Sequence, residues 1–197
     1  MFFQEKRQAT VLRVLAALLG VYLGACAGTS AAEHSSALMQ GLRPLAANPA
    51  PDSACQAVLN ASEKLYTTPF HMYMTESMAA VENGKPMNSE MVFSGGTDYV
   101  LYQGKWTTSS TAERKELDQR NLKTAKMTCQ YVRNEPVNGE GAALYSTHEI
   151  TARGGKVDNQ VWVSQSKGLI LRMETDLGHG THLSSRYEYS NVHAPKL

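Results

Sequence analysis

The chain has 197 residues, 19 of them basic and 18 acidic, for a formal net charge of +1. That balance excludes the basic face a nucleic-acid partner requires. Beyond an N-terminal leader about 170 residues remain, enough for one well-buried core and too few for two.

Lys6, Arg7 and Arg13 precede an uncharged apolar run from Val14 to Ala25, the order of a secretory signal peptide. The run falls short of the roughly 20 apolar residues that span a bilayer, so residues 1–27 are expected to be an export signal. Its removal takes away three of the 19 basic and one of the 18 acidic side chains and leaves a net charge of −1. Ala25-Cys26-Ala27 and Ser30-Ala31-Ala32 both suit a signal peptidase, whereas Leu23-Gly24-Ala25-Cys26 resembles a bacterial lipobox in which Cys26 is acylated. Two locations stay open: a free periplasmic protein, or one held at the membrane through lipid on Cys26. Residues 28–51, rich in Ala, Ser, Gly and Pro, read as a flexible tether, and residues 52–197 as a single domain.

The spacing of Cys55, Val58, Leu59, Ser62, Leu65 and Tyr66 predicts a helix from Ser53 to Tyr66 with one apolar stripe. Ser53 and Gln56 mark its start, and Thr67-Thr68-Pro69 its end. Eight short segments of period-2 character follow, near 70–77, 87–94, 97–103, 127–132, 141–152, 157–165, 169–177 and 183–192. Gly95-Gly96, Gly154-Gly155, Lys167-Gly168 and Gly178-His179-Gly180 supply tight turns, so consecutive strands are expected to be neighbours. After the third strand a polar stretch, Ser110 to Ala125, reads as a helix opened by Ser110 and Glu113. Leu117 and Leu122 are its only large apolar residues, which suits a surface or a mouth.

In the last three strands Val161, Val163, Leu169, Leu171, Met173, Leu177, Leu183, Tyr187 and Tyr189 alternate with Arg172, Glu174, Arg186 and Glu188. One face is apolar and the other charged, as in a sheet covered on one side. The fold class is α+β with an antiparallel sheet. Setting Cys26 aside, Cys55 and Cys129 remain; an oxidising compartment permits them to pair, and two separate buried thiols are the alternative.

The order of elements resembles the periplasmic lipoprotein carrier superfamily of the LolA/LolB type, which includes lipid-binding lipoproteins. Val161-Trp162-Val163-Ser164 followed by Lys167-Gly168-Leu169-Ile170-Leu171-Arg172 is similar to a hairpin of that family, although Ile170 stands where the family usually has Pro. Tyr187-Glu188-Tyr189-Ser190-Asn191-Val192 with Ala194-Pro195 is similar to its closing strand. The resemblance implies a strongly curved sheet, an incomplete barrel, wrapped around one or two helices with an apolar cavity between them. In that setting a Cys55–Cys129 bridge would pin the first helix to the sheet.

On this reading the cavity draws Val58 and Leu65 from the helix, and Met72, Met74, Met91, Phe93 and Leu101 from the first strands. Met127 and Tyr131 come from the middle, and Val161, Val163, Leu171, Met173 and Tyr187 from the last strands. Flexible Met side chains suit ligands of variable shape, though irregular core packing uses Met in the same way. The chain has no GxSxG elbow, HExxH or Gly-rich phosphate loop, so no catalytic residue, metal ligand or cofactor is assigned. His179 and His182 at a hairpin tip have no third ligand nearby, and His71 and His148 read as solvent-facing. The expected role is non-catalytic binding of a lipid or other apolar small molecule, with an envelope protein as the alternative partner. No nucleic acid is expected, and contact with membrane only through lipid on Cys26.

Overall fold

Helix α1 (Ser53–Lys64) opens the part of the chain that the computed structural model describes, residues 53–78 and 85–197. The expected export signal, Cys26 and the tether lie outside these residues. Strands β1 (Phe70–Met78), β2 (Met87–Ser94), β3 (Thr97–Tyr102) and β4 (Lys105–Ser110) follow, then helix α2 (Thr111–Thr124). Strands β5 (Lys126–Val137), β6 (Glu140–Ile150), β7 (Lys156–Ser164), β8 (Ile170–Asp176) and β9 (Thr181–Glu188) complete the order. They form one sheet of nine strands, β4-β3-β2-β1-β9-β8-β7-β6-β5, antiparallel throughout. The sheet is curved but open, with β4 and β5 as its edges, and α2 connects those two edges in sequence. The architecture is the α+β half-barrel that the resemblance implied.

The sheet has nine strands rather than eight, because Lys105–Ser110 pairs with β3. Gln103 and Gly104 both adopt positive φ, 50° and 75°, which makes the two-residue hairpin that joins β3 to β4. Strand β5 runs on to Val137 instead of ending near Val132, since a bulge between Tyr131 and Arg133 lets pairing with β6 continue. Helix α1 ends at Lys64, two residues before the expected Tyr66, where Thr68 N–H bonds to Lys64 C=O at 2.8 Å. Helix α2 is polar as expected: Ser110 caps it by accepting from Glu113 N–H, and among its side chains only Thr111 is buried.

Alternation sorts the strands into two faces. Phe70, Met72 and Met74 on β1 share a face with Met91 and Phe93 on β2, Val100 on β3, and Leu183 and Tyr187 on β9. All eight are buried. This is the helix side, since Cys55, Val58 and Ala61 of α1 are buried and α1 packs on β5, β6 and β7. The opposite face carries a polar lattice: His71 bonds Glu90 at 2.8 Å, Tyr73 donates to Glu188 at 3.4 Å, and Arg172 meets Glu174 at 2.8 Å. At one corner of that outer face a small second core gathers Ala142, Leu144, Trp162 and Leu171, with Val137 and Tyr189 against it. Arg172 stacks over the Trp162 ring at 4.8 Å.

Candidate functional site

The inner face grades from aromatic to polar along β1. At the start of β1, Phe70 packs between Phe93 and Tyr187, with ring centroids 5.9 Å and 5.6 Å apart. Burial pushes the Tyr187 phenol up to about 12. Next come Met72, paired with Met91 and Tyr187, then Met74, paired with Ser89 and Ser185. The fully buried part of the row ends at Glu76, whose cross-strand neighbours are Met87 and Leu183, with half-buried Met78 beyond it. Burial raises the Glu76 carboxyl above its ordinary range. Beyond β9, Met173, Val161 and Tyr145 extend the same row across β8, β7 and β6.

A buried polar network closes the aromatic end. Asp98, 0% exposed, takes the Arg114 guanidinium two-pronged at 2.7 and 3.2 Å and the Thr111 hydroxyl at 3.0 Å. Arg114 also donates to Leu65 C=O at 3.2 Å, just past the end of α1, and lies 4.7 Å from the centroid of the Tyr66 ring. Tyr66 donates to Asp118 at 2.5 Å. Burial raises the Asp118 carboxyl to about 6, more than the hydrogen bond from Tyr66 lowers it, while the Tyr66 phenol is pushed far up by burial and by that same partner. Thus α1, α2 and β3 meet at one satisfied cluster.

The other end of α1 is held covalently. Cys55 and Cys129 form a disulfide across 74 positions of sequence, with Cα atoms 5.0 Å apart, an ordinary separation for such a bond. Of the two open readings of these cysteines the paired one is correct. The bridge ties the helix to β5, an edge strand that among the described residues pairs on one side only.

Most of the residues expected at the cavity fall on the inner face. Val58, Met72, Met74, Met91, Phe93, Val161, Val163 and Tyr187 are buried there, and Met127 and Met173 are half-buried in the same registers. Leu65 sits half-buried in the turn after α1, and Tyr131 shares the face of Cys129 but is 48% exposed at the sheet edge. Two residues belong elsewhere. Leu101 stands opposite Glu90 and Trp106, on the outer face, and Val100 takes the inner position. Leu171 occupies an irregularity in the β7–β8 register, where Trp162 pairs with Arg172 but Val163 with Ile170, and it packs in the outer core. Tyr189 likewise lies against that outer core and donates to Ile170 C=O at 2.6 Å.

Several polar inner-face residues escaped sequence reading, among them Asp98, Glu76, Ser185, Thr147 and Thr175, all buried. Glu149 on β6, facing Met127 and Val157, is another, and burial raises its carboxyl too. Their signal was register: each sits two or four residues from an apolar inner-face neighbour. His71, His148, His179 and His182 stay outside this site. His148 bonds Asp158 at 2.6 Å, His71 belongs to the outer lattice, and His179 takes positive φ in the β8–β9 hairpin. Among the described residues no cluster of three His, Cys, Asp or Glu could hold a metal ion, and no helix is long and apolar enough to cross a membrane.

No protein-family profile and no curated protein sequence matches the chain. Among solved structures it is similar to LprF from Mycobacterium bovis, with 12% identity, a TM-score of 0.45, and coverage of 73% of this chain and 96% of that one. It is also similar to the lipoprotein LppX from Mycobacterium tuberculosis, with 11% identity, a TM-score of 0.43, and coverage of 72% and 96%. A third is the MucA/MucB complex of Pseudomonas aeruginosa, with 11% identity, a TM-score of 0.39, and coverage of 72% of this chain and 58% of that one. Identities of this order carry no residue role across.

Proposed function

We propose that this chain is an exported, non-catalytic carrier that holds an apolar ligand, a lipid or acyl chain, between the inner face of its sheet and helix α1. One observation carries the reading: an open, curved sheet presents an inner face that is apolar and rich in methionine from Phe70 to Met74, with Met72, Met74, Met91 and Met173 in adjacent registers. Methionine adapts its shape to a guest at little strain. Cys26, as the end of an export signal, supplies either the cleavage point or a lipid anchor. Native mass spectrometry of protein purified from a membrane-containing extract should show bound lipid, and the delipidated chain should take up Nile red. A clean unliganded mass together with no dye uptake would overturn the reading.

The free edge of β5 supports a second reading, in which an envelope protein adds a strand there. Tyr131 and Val132 are exposed on that edge, 48% and 43%, and an unpaired strand is a template for another. A co-purifying protein partner lost on Val132→Lys, with no dye uptake by the chain, would favour it.

A further inference from the structure

Two acids on the inner face of the same half of the sheet are equally shielded from water but differ in their partners. Asp98, 0% exposed, is held by Thr111 and by both prongs of Arg114. Glu76, 2% exposed, has no hydrogen-bond partner on either carboxylate oxygen among the described residues, and the hydroxyl of Ser185, 1% exposed, has none either. Ser185 pairs with Met74 and Glu76 with Leu183, so the two residues are diagonal neighbours on one face across the β1–β9 pairing, their Cα atoms roughly 7–8 Å apart, a gap the long glutamate side chain can narrow. A fold does not gain from an orphaned buried carboxylate: the group loses water and receives nothing in return.

The surroundings suit a guest. Met74 lies two residues away on the same face and Met87 directly across the strand pair, and both are flexible enough to yield to a ligand. From Phe70 to Glu76 the face runs roughly 20 Å, apolar for most of its length and acidic at Glu76, with Met78 alone beyond it on β1. Glu149 adds a second carboxyl toward that same end of the strands, while Arg114, at the opposite end, is committed to Asp98.

We infer that Glu76 and Ser185 form the polar subsite of the inner face, and that its occupant is an amphiphile ending in an amine. The inference rests on the carrier reading and names its ligand class. The ammonium donates to the Glu76 carboxylate and to the Ser185 oxygen, converting two orphan groups into charge-assisted hydrogen bonds. The tail then lies over Met74 and Met72 toward Phe70. An anionic head would set like charge against Glu76.

The test is competition for Nile red bound to the purified chain, using three competitors of equal chain length: dodecylamine, 1-dodecanol and dodecanoate. In the unmodified chain dodecylamine should displace the dye at a concentration about tenfold or more below that of the other two, the difference one charge-assisted bond produces. Glu76→Gln should remove that preference, so that dodecylamine and dodecanol displace the dye at similar concentrations. Equal competition by all three, or a preference that survives in Glu76→Gln, overturns the subsite and leaves the carrier reading standing. A chain that binds no Nile red defeats both.

Discussion

The guanidinium of Arg114 grips the carboxylate of Asp98 with two hydrogen bonds inside the protein, so helix α2 is fixed to β3 at the point where the aromatic end of the inner face closes. Removing one partner of such a pair strands the other without water. Arg114→Met is expected to destabilise the fold by about 3–5 kcal/mol in urea titration. Arg114→Lys should recover only part of this, because an ammonium cannot reproduce the two-pronged contact.

The Cys55–Cys129 bridge closes a loop of 74 positions. In the chain-entropy model that constraint contributes about 4 kcal/mol. Comparing denaturation of Cys129→Ser with that of the oxidised parent should show a loss near this size. Amide exchange in α1 should rise more than in β1, since the helix loses its covalent tie to the sheet.

Asp118 carries a pH dependence of definite sign. Its carboxyl titrates near 6 in the fold and near 3.8 when free, because burial disfavours the charge. The protonated form is therefore the one the fold prefers. The stability it contributes is complete below pH 3.8 and is lost as pH rises to about 6. Asp118→Asn should flatten the stability profile across that window in thermal melts.

Glu76 offers a trade of stability against function. A buried carboxylate without a partner destabilises the fold, so Glu76→Leu is expected to raise the unfolding free energy by about 1–3 kcal/mol. Because burial raises this carboxyl, the parent should gain stability on acidification relative to Glu76→Leu. Parallel denaturation series at two pH values measure both effects, and an unchanged midpoint would show that the carboxylate is satisfied in solution.

The one-sided sheet was legible in β7 to β9, where charged and apolar residues alternate over three strands. It was less legible in Thr97–Tyr102, where Tyr99, Val100, Leu101 and Tyr102 run without alternation; only the register with β2 shows that Val100 rather than Leu101 faces in. Strand β4 escaped because Lys105–Ser110 has one large apolar residue, Trp106, and reads as a polar link. As an edge strand that is mostly exposed, it needs no more. Leu171 was misplaced by a shift in strand register, which sequence periodicity does not register. Glu76 and Asp98 were invisible because a charged residue in a strand is normally assigned to the wet face. Their burial is set by the strands beside them.

The strand order also has a consequence in time. Every pairing in the sheet joins chain neighbours except that of β1 with β9, which unites β1–β4 with β5–β9. Two meanders of low contact order can therefore assemble early, and the seam between them bears the entropic cost of long-range closure. We expect substitutions at the Met74–Ser185 pair to slow refolding, and those in the Trp162 cluster to speed unfolding. A chevron plot separates the two.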